Sequence, residues 1–158
     1  MISVWRIGYC TSPQPADAAL LASLGHGSTL GNGRWHTKGP LQIVYCGASR
    51  AICQLEKRVH SNGANPKDQV LMRLELPSSA KLEDASNLGL PADWRTNEAA
   101  TQTLGNAWIA SVMSLGLQVP SFIEPAEMNL LLNPAHPHYN LIKLRVERNP
   151  FRFDPRLF

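Results

Sequence analysis

Two stretches of alternating apolar residues constrain the fold of this chain most. Apolar side chains occupy every second position from Val70 to Leu76, and the same pattern returns from Ile142 to Val146. A period of two residues places alternate side chains on opposite faces of a β-strand. The chain is therefore predicted to form a sheet with at least one buried face.

Other segments predict helices and further strands without the regular spacing of βαβ units. Further strands are predicted at 2–7, 41–46 and 118–123, and helices at 15–24, 48–60 and 98–115. Pro125 is expected to lead a short helical turn through Glu127 to Leu131. The mixture predicts one α+β domain over residues 1–158.

The helical periodicity also predicts which side chains face the core. In the helix at 48–60 the apolar stripe is formed by Ala48, Ile52, Leu55 and Val59. In the helix at 98–115 the inward residues are expected to be Leu104, Ala107, Trp108, Ser111, Val112 and Leu115.

Composition excludes several classes of protein. With 44% hydrophobic and 17% charged residues the chain is globular, and a net charge of +3 without a basic stripe predicts no direct contact with nucleic acid. Three cysteines without a CxxC pair argue against a disulfide framework or a zinc site. The opening segment is strand-like, and no apolar run is long enough to span a membrane. These features predict a cytoplasmic protein with no membrane contact.

Arg34 is the first candidate for a functional residue. It follows the glycine-rich stretch from Gly25 to Gly33, where the backbone can approach a ligand closely. A guanidinium offers a planar fork of donors that matches phosphate oxygens. The alternatives are an exposed arginine at the start of a strand and an arginine whose stem packs on Trp35. The glycine spacing does not match a dinucleotide-binding fingerprint.

Tyr45 and Glu56 form a second candidate pair, at the end of a predicted strand and on the following helix. Glu56 lies at the boundary of the apolar stripe. A carboxylate there could bind a sugar hydroxyl or stabilise a cationic sugar in the transition state. The alternative is a solvated glutamate near His60.

Two polar features near the end of the chain favour structural roles. Ser121 lies between apolar neighbours and lacks a GxSxG elbow, so a satisfied core hydroxyl is the simpler interpretation. His136 and His138 have the spacing of two metal ligands, but no third ligand is near in sequence, and no metal site is predicted.

Considered together, these residues resemble the RES-domain family, toxins of type II toxin–antitoxin pairs. The resemblance extends over nearly the whole chain and is carried by Trp5-Arg6, Gly33-Arg34-Trp35-His36, Ile43 to Cys46, Leu55-Glu56, Leu104-Gly105 with Trp108, Val119-Pro120-Ser121, Asn129 to Pro137, and Phe151 to Leu157. The arginine, glutamate and serine that name the family correspond to Arg34, Glu56 and Ser121. His36 and Asn106 depart from the residues that are common in the family.

The resemblance implies an ADP-ribosyltransferase-like fold, with a central mixed or antiparallel sheet split around an NAD cleft. It also implies an enzyme that depletes NAD as its substrate by hydrolysis or phosphorolysis, without a prosthetic group. Arg34 would hold the pyrophosphate, with Arg6 as a second phosphate contact, and Tyr45 would stack near nicotinamide. Glu56 would bind the ribose and stabilise its oxocarbenium character, and Ser121 would orient Glu56 or the ribose.

The sequence is compatible with more than one activity. The resemblance implies an Xre-type helix-turn-helix antitoxin as the partner, and some relatives transfer ADP-ribose to a protein instead of degrading NAD. A module of a different class, which binds a phosphorylated ligand or nucleic acid without catalysis, is the third possibility. A closed cleft joining Arg34, Tyr45 and Glu56 favours catalysis, whereas a uniformly basic surface favours the binding module.

Overall fold

The predicted strands form one mixed sheet. The computed structural model describes all residues from 1 to 158. Its seven strands have the order β4-β5-β6-β2-β1-β3-β7. They are β1 (Ile2–Tyr9), β2 (Val44–Gly47), β3 (Gln69–Leu76), β4 (Leu82–Asp84), β5 (Gly116–Pro120), β6 (Met128–Leu132) and β7 (Lys143–Phe151). Only β4 and β5 pair in parallel; the other neighbours are antiparallel.

Three helices flank this sheet, which confirms the prediction of a single α+β domain. They are α1 (Asp17–Ser23), α2 (Arg50–His60) and α3 (Glu98–Ser111), and the remaining helical elements are short 3₁₀ turns. The side chain of Ser49 caps the start of α2 by accepting a hydrogen bond from the backbone N–H of Ile52, and Asn97 caps α3 in the same way. None of the helices is both long and apolar enough to cross a membrane.

The sheet is nearly divided between β1 and β2. Their pairing is confined to Trp5 and Gly47, whereas β1 pairs with β3 over eight residues. On one face, α1 covers a core that extends across both halves of the sheet. On the other face there are two separate clusters. One lies around Trp35 and Trp108 beneath α3, and the other lies around Ile7 and Cys53 beneath α2.

One prediction of secondary structure was wrong. Residues 127–131 were expected to form a helical turn, but Met128–Leu132 is strand β6, which pairs with β2 on one side and β5 on the other. Hydrogen bonding to two neighbouring strands determines the conformation of this segment, and those neighbours are distant in sequence. The three-residue strand β4 was also not predicted.

The buried faces of both long helices agree only in part with those predicted, since Ile52 and Trp108 are buried as expected. In α2 the buried residues are Ile52 and Cys53, while Leu55 and Val59 are exposed. In α3 they are Thr101, Gly105, Trp108 and Ile109. This helix ends at Ser111 because Val112 adopts a left-handed conformation with φ of 53°. Helical periodicity therefore located the helices correctly but not the direction from which the sheet packs against them.

Candidate functional site

Helix α3 fixes the backbone on both sides of Arg34. The hydroxyl of Thr101 donates to the carbonyl of Arg34 at 2.6 Å, and the side-chain amide of Gln102 donates to the carbonyl of Gly33 at 2.9 Å. Gly105 lets the helix approach further, since a Cβ atom there would lie 1.8 Å from the carbonyl oxygen of Trp35. Residues 33–35 are therefore packed directly against α3 and cannot move closer to it.

The side chain of Arg34 lies at the edge of the site and is 23% exposed. Its Nη1 atom is 3.4 Å from the carbonyl oxygens of Trp94 and Arg95, and Nη2 is 3.8 Å from Glu98 Oε2. The guanidinium carbon is 4.1 Å from the centroid of the Phe122 ring. Because these contacts are long or occur through the flat face of the guanidinium, most of its N–H groups remain available to a ligand.

Tyr45 on β2 is bonded to the same loop. Its hydroxyl lies 2.6 Å from Nδ1 of His36 and accepts from the backbone N–H of Trp35 at 3.3 Å. Nε2 of His36 faces two carbonyl oxygens, those of Ser28 and Gly31, so this nitrogen carries the proton and Nδ1 accepts from Tyr45. Burial raises the pKa of the Tyr45 hydroxyl well above its ordinary value. Tyr45 is therefore a neutral phenol that connects the sheet to the Arg34 loop.

Glu56 points from α2 across the division in the sheet. Its Oε1 atom accepts two hydrogen bonds, from the Ser121 hydroxyl at 2.8 Å and from Nδ2 of Asn129 at 2.6 Å. Its other carboxylate oxygen, Oε2, accepts no hydrogen bond from the protein. Charge-assisted hydrogen bonds are the strong ones in proteins. The hydrogen bonds from Ser121 and Asn129 therefore hold the Glu56 carboxylate through Oε1, and Oε2 remains available to a ligand.

Ser121 follows β5 directly and is fully buried. Its hydroxyl donates to Glu56 and accepts from the backbone N–H groups of Ile123 and Glu124, at 3.1 and 3.2 Å. A hydroxyl with its proton and its acceptor sites engaged in this way orients a neighbour and is not an activated nucleophile. The geometry therefore gives Ser121 the task of orienting Glu56.

Asn129 contacts Glu56, although no sequence pattern indicated a role for it. It lies on β6 opposite Gly47, on the face that carries Tyr45 two positions away on β2. Its Nδ2 atom donates to Glu56, and its Oδ1 atom is buried without a hydrogen-bond partner. A buried acceptor without a partner is uncommon and suits a ligand donor. If residues 128–132 had been predicted to form a strand, the alternation would have placed Asn129 on the same face as Leu131 and made it a candidate site residue.

Arg6 has a structural role that the sequence did not suggest. Its Nη1 atom donates to the carbonyl of Tyr45 at 2.7 Å, and its Nη2 atom lies 3.4 Å from the carbonyl of Leu24. Few backbone hydrogen bonds join β1 to β2, so the guanidinium satisfies a carbonyl that the sheet leaves unpaired there. The Nε atom of Arg6 is buried without a hydrogen-bond partner, and the phosphate contact that the resemblance implies for Arg6 stays a prediction.

The cysteines and the histidine pair do not form a reactive centre. Burial raises the pKa of the Cys53 thiol to about 11 and that of Cys46 to about 12, so both remain protonated near neutral pH. His136 Nδ1 accepts from the backbone N–H of His138. No group of three or more His, Cys, Asp or Glu side chains is placed to hold a metal ion.

The structure brings the predicted residues, apart from Arg6, to one side of the sheet. Glu56 and Ser121 are in direct contact, and Phe122 connects Ser121 to the guanidinium of Arg34. Tyr45 joins the same group through the backbone of Trp35. The group combines the oriented carboxylate of Glu56 with the partly exposed guanidinium of Arg34. A carboxylate suits the hydroxyl groups of a sugar and a guanidinium suits a phosphate, so the group suits a ligand that contains both.

Comparison with known proteins identifies the family to which the chain belongs. The model of the RES domain matches residues 3–154. The Prs ADP-ribosylating toxin of Sphingobium sp. (strain YBL2) is 38% identical over 160 residues, covering 98% of this chain and 96% of the relative. Toxin Res of Yersinia enterocolitica is 38% identical over 140 residues, covering 84% of this chain and 88% of the relative.

A solved structure shares the fold. The crystal structure of the MbcT–MbcA toxin–antitoxin complex of M. tuberculosis contains a chain that matches with a TM-score of 0.60 at 15% sequence identity. The match covers 91% of this chain and 81% of that chain. The family model, the two relatives and the shared fold all extend over most of the sequence, and this chain belongs to the RES domain family.

Proposed function

We propose that this chain is the toxin of a toxin–antitoxin system and that it breaks the bond between nicotinamide and ribose in NAD. The observation that carries the enzymatic proposal is the carboxylate of Glu56. It is held through one oxygen by Ser121 and Asn129 while its second oxygen accepts nothing from the protein. A preorganised charge of this kind stabilises positive charge that develops in a transition state.

The chemistry of NAD suits a site with one carboxylate. Departure of nicotinamide as a neutral molecule leaves a ribose with oxocarbenium character, so the leaving group requires no protonation by an acid. Ordinary glycosidases use two carboxylates because their leaving groups do require it. Glu56 would bind a ribose hydroxyl and stabilise the cationic ring, and the unpartnered Oδ1 atom of Asn129 would accept a hydrogen bond from the substrate.

Arg34 and Tyr45 would complete the substrate site. The available N–H groups of Arg34 match the oxygens of a pyrophosphate. The Tyr45 hydroxyl is engaged with His36 and Trp35, so its ring is the part that can meet the nicotinamide end of the substrate. NAD is the substrate in this proposal, and no prosthetic group takes part.

Transfer of ADP-ribose to a protein is the second candidate function. The relative from Sphingobium is named an ADP-ribosylating toxin and aligns with 98% of this chain. Both functions share the breaking of the nicotinamide–ribose bond and differ only in the group that attacks the ribose. A binding module without catalysis would have no need for the oriented carboxylate.

Product analysis separates these functions. We expect the purified chain to release nicotinamide from NAD. Chromatography with mass detection should then find ADP-ribose if water is the acceptor, or phosphorylated ADP-ribose if inorganic phosphate is present and is the acceptor. Nicotinamide release that depends on an added protein, with an equal amount of ADP-ribose joined to that protein, would identify a transferase. Intact NAD under all three conditions would contradict the proposed enzyme.

The antitoxin is expected to inhibit by covering the site. The edge around Arg34 is cationic and partly exposed, so it can accept a carboxylate from an acidic side chain or a chain terminus in place of phosphate. The partner would be an Xre-type protein that itself contacts DNA. We expect the complex to consume NAD far more slowly than the free chain. Equal rates and equal NAD binding in the two states would exclude this mode of inhibition.

A further inference from the structure

Two arginine side chains lie on the ring of Phe122. The guanidinium carbon of Arg34 is 4.1 Å from the ring centroid, and that of Arg95 is 4.4 Å from it. Phe122 is 42% exposed and follows Ser121, whose hydroxyl is bonded to Glu56. Both guanidinium groups therefore contact the ring that directly follows Ser121 in sequence, with Arg34 partly exposed and Arg95 exposed.

The ring of Phe122 is itself packed against other aromatic side chains. Trp94 contacts the Phe122 ring edge to face, with centroids 6.1 Å apart, and it stacks on the buried Trp35 at the same distance. The guanidinium of Arg95 also lies 5.5 Å from the Trp94 ring. The faces of aromatic rings attract cations and hold a guanidinium flat against them. Two like charges thus share one aromatic ring before any ligand binds.

Acidic side chains balance only part of this charge. Arg34 has one ionic partner, Glu98, at 3.8 Å, and the Glu98 side chain is 56% exposed. Arg95 forms no salt bridge. Exposed ion pairs of this length contribute little. The pair of guanidiniums therefore carries a net positive charge that an anionic ligand would neutralise.

The N–H groups of Arg95 are oriented but mostly unused. Nη2 donates to the carbonyl of Phe122 at 3.1 Å, which holds the side chain against Phe122. The protein offers no acceptor to its other N–H groups. A planar fork with free donors binds a phosphate through two parallel hydrogen bonds.

We propose that Arg34 and Arg95 bind the two phosphates of a diphosphate together, so that Arg95 is the second phosphate-binding residue of this site. The identification of the ligand as a dinucleotide rests on the proposed function. The diphosphate of NAD carries one negative charge on each phosphate, which matches one guanidinium for each. This assignment for Arg95 is independent of the phosphate contact that the resemblance implies for Arg6.

Binding of ADP-ribose and adenosine to the Arg95→Ala variant tests this assignment. ADP-ribose contains the diphosphate, whereas adenosine has no phosphate, and calorimetry can compare the two. We expect the loss of charge-assisted hydrogen bonds to weaken ADP-ribose binding about 10- to 100-fold and to leave adenosine binding unchanged. Arg95→Lys should recover part of the affinity, because it keeps the charge but loses the fork.

The steady-state kinetics of Arg95→Ala, compared with those of a control variant, test the same assignment. Arg95→Ala should raise KM for NAD more than it lowers kcat, since a phosphate contact forms equally in the ground state and the transition state. Arg145→Ala removes another exposed arginine, on β7, and should change neither quantity. Arg95 is exposed, so its removal should leave the melting temperature nearly unchanged.

Two results would overturn the assignment. One is Arg95→Ala binding ADP-ribose as tightly as the unmodified chain, and the other is an unmodified chain that binds ADP-ribose no better than adenosine. Failure of the proposed function is distinguishable from these results. A chain that leaves NAD intact but binds ADP-ribose through Arg95 supports the diphosphate site while contradicting the enzyme.

Discussion

Glu56→Gln is expected to lower the rate of NAD consumption about 10²–10³-fold, the loss typical of removing a preorganised electrostatic contact. Glutamine retains an oxygen that can accept from Ser121 and Asn129, so the two hydrogen bonds that orient the side chain can persist. The substitution therefore removes the charge while keeping the shape. Initial rates of nicotinamide release under saturating NAD measure the effect.

Glu127→Gln is the matched control for this charge. Glu127 is exposed, its side chain makes no hydrogen bond or ion pair, and it lies near the site in the turn between β5 and β6. We expect this variant to keep the full rate and both variants to keep nearly the same melting temperature. Undiminished NAD consumption by Glu56→Gln in a folded protein would refute the role of Glu56.

Gly105→Ala is expected to destabilise the protein and to disable the site at the same time. The added Cβ atom would lie 1.8 Å from the backbone carbonyl oxygen of Trp35, so α3 and the Arg34 loop must separate. Overpacking of this kind costs about 1–3 kcal/mol. For a chain of this size each kcal/mol lowers the melting temperature by about 2–4 °C. Scanning calorimetry measures the loss.

The same separation should break the hydrogen bonds from Thr101 and Gln102 to the loop. We therefore expect Gly105→Ala to lose NAD consumption even at temperatures where it remains folded. Gly31→Ala is the matched control, since a Cβ atom at Gly31 meets nothing within 4 Å and its φ is not positive. That variant should change stability by at most about 1 kcal/mol. An unchanged melting temperature in Gly105→Ala would contradict the close packing described for α3.

The sequence determined the local elements whose patterns are strong. Alternation identified β3 and β7, and helical periodicity identified α2 and α3, because each depends on the period of its own backbone. Family resemblance placed Arg34, Glu56 and Ser121 in one site. In the structure Glu56 contacts Ser121, and Arg34 packs on Phe122, the residue that follows Ser121.

Only the tertiary structure decided which faces are buried and which polar groups meet. Residues 128–132 form a strand because β2 and β5 lie on either side of them, and this pairing brings Asn129 to Glu56 across 73 positions of sequence. Arg6 binds the Tyr45 carbonyl because the sheet leaves that carbonyl unpaired beside β1. The guanidinium of Arg95 contacts the ring of Phe122, which lies 27 positions further along the chain. Such contacts depend on the relative positions of distant elements, which no local period encodes.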